Sequence, residues 1–397
     1  MVMADKKKIN IAVIPGDGVG KEVSSEAVKV GSKACELCGA ELKCSWFDWG
    51  CDYYLANGKM MPDDVLDILS SFDAIFLGCI GDVSKVPDHI SLTLLLTIRK
   101  GFDQYINLRP ICLYEGVQTP LRTAVPGKID FVVVRENVEG EYAQVGGRFK
   151  KGTSDEVAVQ SAVFTRKGTE RVIRYAFDVA SKRKKLGGKD GFAGMVTNCS
   201  KSNALNYSMV FWDDVFNDVA KEYPHIKKDF GLVDALTMWF VKNPDYFDVV
   251  VASNLFGDII TDLGAMLQGG MGFAAGGNIN PEKTYPSMFE PIHGSAPKYT
   301  GKNVINPIAS IEAMRMLLDH ADSPGAAESI QKAVREVLSE GAVKTRDMGG
   351  EAKTNDVGDA IVAHLSQPTI TSPNGGITYE RRKKSRRKKK ITRGEIC

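Results

Sequence analysis

Residues 247–265 read FDVVVASNLFGDIITDLGA. The stretch FDVVVAS is a compact apolar run of strand length, valine-rich as a strand buried on both faces should be. NLFGDIITDLGA follows at once and reads as a helix. Asp258 and Asp262 interrupt it, four residues apart among residues otherwise apolar or small. On a helix that spacing puts both carboxylates on one face, where they repel unless water or a cation neutralises them. Two solvated surface positions would satisfy the pattern, and so would half of a metal site.

The alternation of strand and helix continues in both directions. INIAVI (9–14), DAIFLG (73–78), IDFVVVR (129–135) and FAGMVT (192–197) are further apolar runs of strand length. Residues 20–39, 167–185 and 202–224 carry apolar positions at helical spacing, the last stopped by Pro224. Such alternation predicts an α/β protein with a largely parallel sheet. No internal repeat of fixed period is present. IAVIPGDGVGKEV invites a dinucleotide-binding reading, but Gly16, Gly18 and Gly20 are spaced G-x-G-x-G instead of G-x-G-x-x-G. A clean second strand ending in Asp or Glu about 20 residues on is also missing. The segment reads as a tight turn between strand and helix.

The chain has 397 residues, 43% hydrophobic and 25% charged, an ordinary balance for a globular protein large enough for two domains. No run of about 18 apolar residues suggests a bilayer span, and the N-terminus lacks a secretory pattern. The eight cysteines form no regular framework. The close pair Cys35 and Cys38 lies in a helical pattern without a partner pair, so free thiols in a reducing cytoplasm are expected. Residues 380–397 hold ten of the 51 Lys/Arg and two of the 49 Asp/Glu, which leaves 41 against 47 in residues 1–379. A mildly acidic body therefore carries a strongly basic tail, and residues 367–397 are expected to be disordered.

Several charged residues interrupt apolar surroundings. Arg99 in LLLTIRKGF, Arg109 in INLRPI and Arg135 in VVVREN each stand where an unpaired cation is costly to desolvate. One such arginine is ordinarily a structural ion pair. Three suit a ligand with more than one carboxylate, because guanidinium forks bind carboxylates bidentately. Tyr142 follows Arg135 by seven residues. Lys201 stands just after a strand and at the expected start of a helix, where the positive helix end would lower its pKa. Asp234 opens an apolar helix, a position that an N-cap explains. Three aspartates without a nearby histidine favour Mg²⁺ or Mn²⁺ over zinc. MFEPIHGSAPKYTGKNVINP, with two glycines and three prolines around His293, reads as a long ordered loop of the kind that binds ligands.

With these residues assembled, the chain from about Ile9 to Leu365 resembles the isocitrate/isopropylmalate/tartrate dehydrogenase family of β-hydroxyacid oxidative decarboxylases. IPGDGVG, FDQYINLRP, FVVVRENVEGEY, SNLFGDIITDLGA, FEPIHGSAP and TRDMGGEAKTNDVGDAI carry the resemblance. PDHISL, FDQYINLRP and EGEY are most similar to the tartrate/D-malate dehydrogenase branch.

The resemblance implies an isopropylmalate-dehydrogenase-like fold of two α/β domains with the active site in the cleft between them. Residues 1–108 and 256–366 would form a large cofactor-binding domain, and 109–255 a small substrate and dimerisation domain. Arg99, Arg109 and Arg135 would hold the substrate carboxylates, with Leu95 and Leu96 lining the C3 side. Tyr142 would protonate the enol carbon after CO₂ leaves, and Lys201 would help remove the hydroxyl proton. Asp234, Asp258 and Asp262 would hold Mg²⁺ or Mn²⁺. Lys201 and Asp234 would come from the neighbouring subunit of a homodimer. His293, Gly294, Ser295, Ala296, Lys298, Tyr299 and Asn306 would bind NAD(P)⁺. The Lys298-Tyr299 pair favours NADP⁺, since a cation there suits a 2′-phosphate.

The implied reaction is metal-dependent oxidative decarboxylation of a (2R)-malate-type dicarboxylate: 3-isopropylmalate, D-malate or tartrate, with isocitrate as the alternative. A non-catalytic regulatory subunit is a rival, but such subunits lose the lysine, tyrosine or aspartates retained here. The RRKKSRRKKK block would bind polyanions through charge alone. Lacking interleaved aromatics, it does not predict specific nucleic-acid recognition.

Overall fold

A computed structural model of the chain describes residues 6–366 and, as backbone, the strands Pro368–Ile370 and Ile377–Tyr379. The expected disorder of 367–397 otherwise lies outside the described residues. The strands of the main sheet are β1 (Lys7–Gly16), β2 (Ala40–Trp46), β3 (Ala74–Cys79), β4 (Ile106–Cys112) and β5 (Asp130–Glu136). After the two-stranded ribbon β6 (Gly140–Phe149) and β7 (Val157–Val163) come β8 (Gly194–Ser200), β9 (Ile226–Leu232), β10 (Val249–Ala252), β11 (Ala275–Ile279) and β12 (Ser287–Pro291). Their order across the ten-stranded sheet is β2-β1-β3-β12-β11-β4-β5-β10-β8-β9.

The sheet is parallel on both flanks and antiparallel in the middle. β12–β11, β11–β4 and β4–β5 all run antiparallel, whereas the six remaining pairs are parallel. The expectation of a largely parallel sheet holds, with the antiparallel pairs confined to the centre. The strands that reverse there are Gly-rich (AGGNI) or carry Arg109 and Pro110 (INLRPIC), so neither presents an uninterrupted apolar run.

The face on which each residue is buried alternates along a strand, because successive side chains point to opposite sides. Ile11, Val13, Phe76, Val134, Val249 and Val251 share one apolar cluster. Their strand neighbours Ala12, Ile14, Ile75 and Leu77 belong to a second, and Val133, Val250 and Ala252 to a third. Helices cover both faces, as two-sided burial requires. On the first face lie α1 (Gly20–Leu37) and, past α2 (Cys51–Asn57), α3 (Val65–Leu69), α4 (Asp88–Ser91) and α5 (Thr93–Gly101), the helix α6 (Arg166–Arg183) with α7 (Ser208–Ala220). On the opposite face α5 covers the first flank, while α8 (Val233–Lys242) and α9 (Asn254–Leu267) cover the second. The chain continues with α10 (Ile308–His320), α11 (Pro324–Glu340) and α12 (Thr354–His364) on the first face.

The boundary placed at 108/109 falls inside β4 and that at 255/256 inside α9. One sheet thus runs through both halves. No described helix is long and apolar enough to cross a membrane. All seven described cysteines are free thiols.

Candidate active site

The site grows from the end of β5. Ala252 on β10 pairs in register with Arg135 on β5, so the helix that leaves β10 starts beside Arg135. Asn254 in the first turn of α9 receives this guanidinium twice, Nε donating to its backbone oxygen at 2.8 Å and Nη2 to its Oδ1 at 2.7 Å. Arg135 lies flat against α9 because residue 257 is glycine. A Cβ there would meet Arg135 Cγ at 2.5 Å.

One turn on, Asp258 gathers the site. Arg135 Nη1 donates to its Oδ1 at 2.5 Å, Arg109 Nη2 approaches the same oxygen at 3.4 Å, and the Tyr142 hydroxyl donates to Oδ2 at 3.1 Å. Burial would raise the Asp258 pKa, but the charges of Arg135 and Arg109 outweigh it and hold the carboxyl below its ordinary value. Tyr142 is pushed the other way, by burial and then by the Asp258 charge, so its phenol stays protonated. Lys100 on α5 donates to the Tyr142 backbone oxygen at 3.2 Å.

Arg99, Arg109 and Arg135 are 6%, 6% and 3% exposed. Arg109 is anchored by Asn107 Oδ1 at 2.7 Å and Thr261 Oγ1 at 2.7 Å, and Arg99 by Glu290 Oε1 at 2.9 Å. Burial lowers the pKa of Arg109 and Arg135, and for Arg135 the neighbouring Arg109 charge adds to it. Three guanidiniums crowded in a buried site destabilise one another, and a bound anion relieves that. Sequence reasoning singled out the arginines but missed the anchors Asn107, Asn254, Thr261 and Glu290. All four stood in quoted motifs: Asn107 in INLRP, Glu290 in FEPIHGSAP, and Asn254 and Thr261 in SNLFGDIITDLGA.

Asp262 shares the face of α9 with Asp258, as its spacing predicted. Its carboxylate is exposed and has only a 3.6 Å approach from Arg109 Nη1. Crowding by the protein, together with the Asp258 charge, raises its pKa. Asp234 is elsewhere in the chain. It lies inside the first turn of α8, whose N-cap is Leu232, so the expected capping role is corrected. Lys201 Nζ pairs with Asp234 at 2.9 Å. The expectation that Lys201 opens a helix is also corrected, since α7 begins at Ser208 and turns fill the interval. Among the described residues of one chain, no group of three or more His, Cys, Asp or Glu is arranged to hold a metal. The structure therefore brings together Arg99, Arg109, Arg135, Tyr142, Asp258 and Asp262, and keeps Lys201 with Asp234 as a separate pair.

Leu95 and Leu96 lie one turn before Arg99 on α5, both half-buried, and Leu95 packs partly against the apolar cluster beneath the helix. On the other side of Glu290, residues 292–307 form the expected loop, while Met288–Pro291 belong to β12, a correction to its start. The GDGVG turn supports this loop. Val19 N donates to Ser295 O at 2.9 Å, and a Cβ on Gly18 would meet that oxygen at 2.1 Å. Asp17 accepts from Cys51 N and Gly81 N at 2.7 and 2.8 Å, so the turn's carboxylate is spent on the fold. His293 Nδ1 donates to Gly294 O at 3.1 Å, and its buried Nε2 has no partner. Ser295 Oγ donates to Gly81 O. Ala296 holds a positive φ of 40°, Lys298 Nζ sits 4.9 Å from the Tyr299 ring, and buried Asn306 donates to Asp347 at 3.1 Å. Gly294 is exposed, with open space around its Cα.

Comparison with known proteins covers nearly the whole described chain. The profile of the family described as isocitrate/isopropylmalate dehydrogenase matches residues 10–361. D-malate dehydrogenase [decarboxylating] of Escherichia coli is 49% identical over 362 residues, covering 89% of this chain and 98% of that protein. A probable tartrate dehydrogenase/decarboxylase of Bacillus subtilis is 47% identical over 361 residues, covering 90% and 98%. The crystal structure of isocitrate dehydrogenase from Methylococcus capsulatus superposes with a TM-score of 0.79 at 35% identity, covering 90% of this chain and 99% of that one.

Proposed function

We propose, from the premise that this chain belongs to the isocitrate/isopropylmalate dehydrogenase family, that it oxidises and decarboxylates a (2R)-malate-type dicarboxylate, D-malate or tartrate, with NAD(P)⁺ and Mg²⁺ or Mn²⁺. The observation that carries the reading is Asp258, one carboxylate shared by Arg109, Arg135 and the Tyr142 hydroxyl. A dianion at Arg99, Arg109 and Arg135 would supply the negative charge that three crowded guanidiniums call for. The high identity to the D-malate and tartrate enzymes supports a malate with hydrogen or hydroxyl at C3 over isocitrate.

The residues present fit both groups that the family implies. Asp262 offers an exposed carboxylate with no hydrogen-bond donor, and oxygen-only donors suit a hard divalent cation. The unpartnered Nε2 of His293 offers a polar contact to a nicotinamide nucleotide on the 292–307 loop. Asp258, Asp262 and Asp234 would hold the metal, and His293, Gly294, Ser295, Ala296, Lys298, Tyr299 and Asn306 the nucleotide. When bound, the metal supplies Lewis-acid stabilisation of developing enolate charge and the nucleotide accepts the hydride.

The chain's own groups would do the rest. Arg99, Arg109 and Arg135 fix the carboxylates and so orient C2 and C3. Lys201 takes the hydroxyl proton as C2 is oxidised. Tyr142, kept protonated beside Asp258, delivers its proton to the carbon that loses CO₂. Because Lys201 and Asp234 stand apart from Asp258 in one chain, they serve the site of a second copy. A homodimer with shared sites follows. The exposed apolar residues Met238, Trp239 and Val241 on α8 give such a copy a surface to cover. The two parallel flanks of the sheet correspond to the two domains.

The test is initial rates with Mg²⁺ or Mn²⁺, crossing NAD⁺ and NADP⁺ against D-malate, tartrate, 3-isopropylmalate and isocitrate. Fastest turnover of D-malate or tartrate bears the reading out. Preference for isocitrate overturns the substrate assignment, and no turnover of any of the four overturns the activity.

A further inference from the structure

Beneath the arginines the antiparallel centre of the sheet carries a row of polar side chains. Arg135 on β5 pairs in register with Asn107 on β4, and Asn107 with Asn278 on β11. Glu290, on β12, stands on the same face. Asn107 and Asn278 are wholly buried, and Asn137 and Glu290 nearly so. Amides in a core are costly unless their donors and acceptors are used.

Along the row they are used in a single direction, while Asn137 Oδ1 is left without a partner. Arg109 Nε donates to Asn107 Oδ1 at 2.7 Å, and Asn107 Nδ2 donates to Asn278 Oδ1 at 2.9 Å. Asn278 Nδ2 donates in turn to Glu290 Oε1 at 2.8 Å, and Arg99 Nη2 reaches that same oxygen at 2.9 Å. Asn137 Nδ2 donates to Asn278 Oδ1 at 3.0 Å. Turning the Asn278 amide over would set its oxygen against a carboxylate and its NH₂ against two other NH₂ groups. Its orientation is therefore dictated by its partners.

We propose that Asn278 is a positioning residue, the middle of a buried amide chain that fixes Arg99 and Arg109 relative to each other and so sets the spacing at which they hold two carboxylates. The inference rests on the reading of both arginines as substrate holders. Asn278 contacts neither guanidinium. The links between them are neutral amides ending on one carboxylate, Glu290, which pairs with Arg99, so the chain itself sets a single negative charge against two guanidiniums. Arg99 Nε is left buried and unpartnered. A carboxylate at position 278 would hold the same geometry only while protonated.

Asn278→Asp tests this directly. A protonated carboxyl is nearly isosteric with the amide, donating O–H to Glu290 and accepting from Asn107. Ionised, it donates nothing and faces Glu290. The charged groups around it are Glu290 on β12, Arg99 on α5 and Arg109 on β4, with Arg135 next along the row on β5. Ionising a second carboxyl beside Glu290 is opposed by like charge, so loss of that proton is followed across a wide pH range.

Full-length protein is assayed with metal and its preferred nucleotide from about pH 6 to about pH 9, taking D-malate, or tartrate if that turns over faster, as substrate. Relative to wild type at each pH, the substrate KM should be near normal at the acid end and about tenfold higher at the alkaline end, with the nucleotide KM within about twofold. A KM unchanged at every pH, or raised equally at all, overturns the proposal, the second marking a packing defect. Should Asn278→Asp not fold, Asn107→Ser at the Arg109 end should raise the substrate KM about tenfold against a steady nucleotide KM, and an unchanged substrate KM overturns it. Arg109→Lys runs alongside. If it leaves the substrate KM unchanged, the carboxylate-holding reading falls and the proposal with it. If it raises KM while Asn278→Asp does not, the amide chain alone is wrong.

Discussion

Arg135 Nη1 lies 2.5 Å from Asp258 Oδ1, a guanidinium 3% exposed against a carboxylate about one third exposed. The aspartate proposed to hold a cation is thus also the counter-charge for a buried arginine. Its two duties can be separated by comparing it with Asp262, which has no hydrogen-bonded partner.

Asp258→Asn should lower both turnover and stability, since it leaves Arg135 and Arg109 buried without their shared carboxylate. The destabilisation is expected at about 3 kcal/mol. Asp262→Asn should lower metal-dependent turnover by about an order of magnitude or more, yet change the unfolding free energy measured in urea by under about 0.5 kcal/mol. Urea unfolding beside Mg²⁺ titration of activity distinguishes the two. Equal stability losses would mean that the ion pair to Arg135 is not what holds this corner.

The proposed sharing of active sites between two copies makes a quantitative prediction. Tyr142→Phe and Lys201→Met should each reduce turnover by about 10²- to 10⁴-fold. Mixed in equal amounts and reassembled, they should recover about a quarter of wild-type activity, because half the dimers then carry one intact site. Recovery near zero, with mixed dimers confirmed to have formed, would place both residues of a working site on one chain.

Lys298 is exposed near Tyr299 on the loop assigned to the nucleotide. Replacing it with Asp should raise the KM for NADP⁺ at least about tenfold while improving or sparing NAD⁺, by loss of a phosphate-pairing cation. A wild-type ratio of the two cofactors in the variant would remove Lys298 from the site.

His320 packs its ring 5.4 Å from that of Phe289. Burial, then the Lys283 charge, pushes it down to about 4. An unfolded imidazole takes its proton near pH 6.5, while the folded one resists until near pH 4. The stability it contributes is therefore complete above about pH 6.5 and is lost as the pH falls towards 4, by at most about 3 kcal/mol. His320→Gln should flatten the fall of the urea midpoint between pH 7 and about pH 4.5. An unchanged slope would show that His320 does not couple folding to protons.

Deleting residues 367–397 should leave turnover within about twofold of wild type, since no residue assigned to the site comes from them. A large loss in the truncated protein would give the basic segment a catalytic or assembly role.

Much of this molecule could be read from neighbours along the chain. Val249–Ala252 and Phe131–Val134 are valine-rich because both faces of those strands are covered, which is a local signature. The shared helix face of Asp258 and Asp262 follows from spacing alone, and so does the failure of GDGVG as a dinucleotide fingerprint. Five strands left weaker marks, among them β12 (SMFEP), whose end at Pro291 made it read as loop. β2 and β9 are polar edge strands, β11 is short and Gly-rich, and β4 is interrupted by Arg109 and Pro110. Lys201 lay beyond local reasoning too, because turns precede the helix its sequence seemed to open.

The sequence by itself determined an α/β chain, three arginines in apolar settings, a tyrosine and paired aspartates. Only the tertiary structure decided that Arg135 and Asp258 meet, that Lys201 stands with Asp234 apart from them, and that Asn107 and Asn278 tie Arg109 to Arg99. Those relations depend on the register of β4, β5, β10 and β11 and on the reversed strand direction at the sheet's centre. Register and direction are set by contacts between residues far apart in the chain, so no local pattern encodes them.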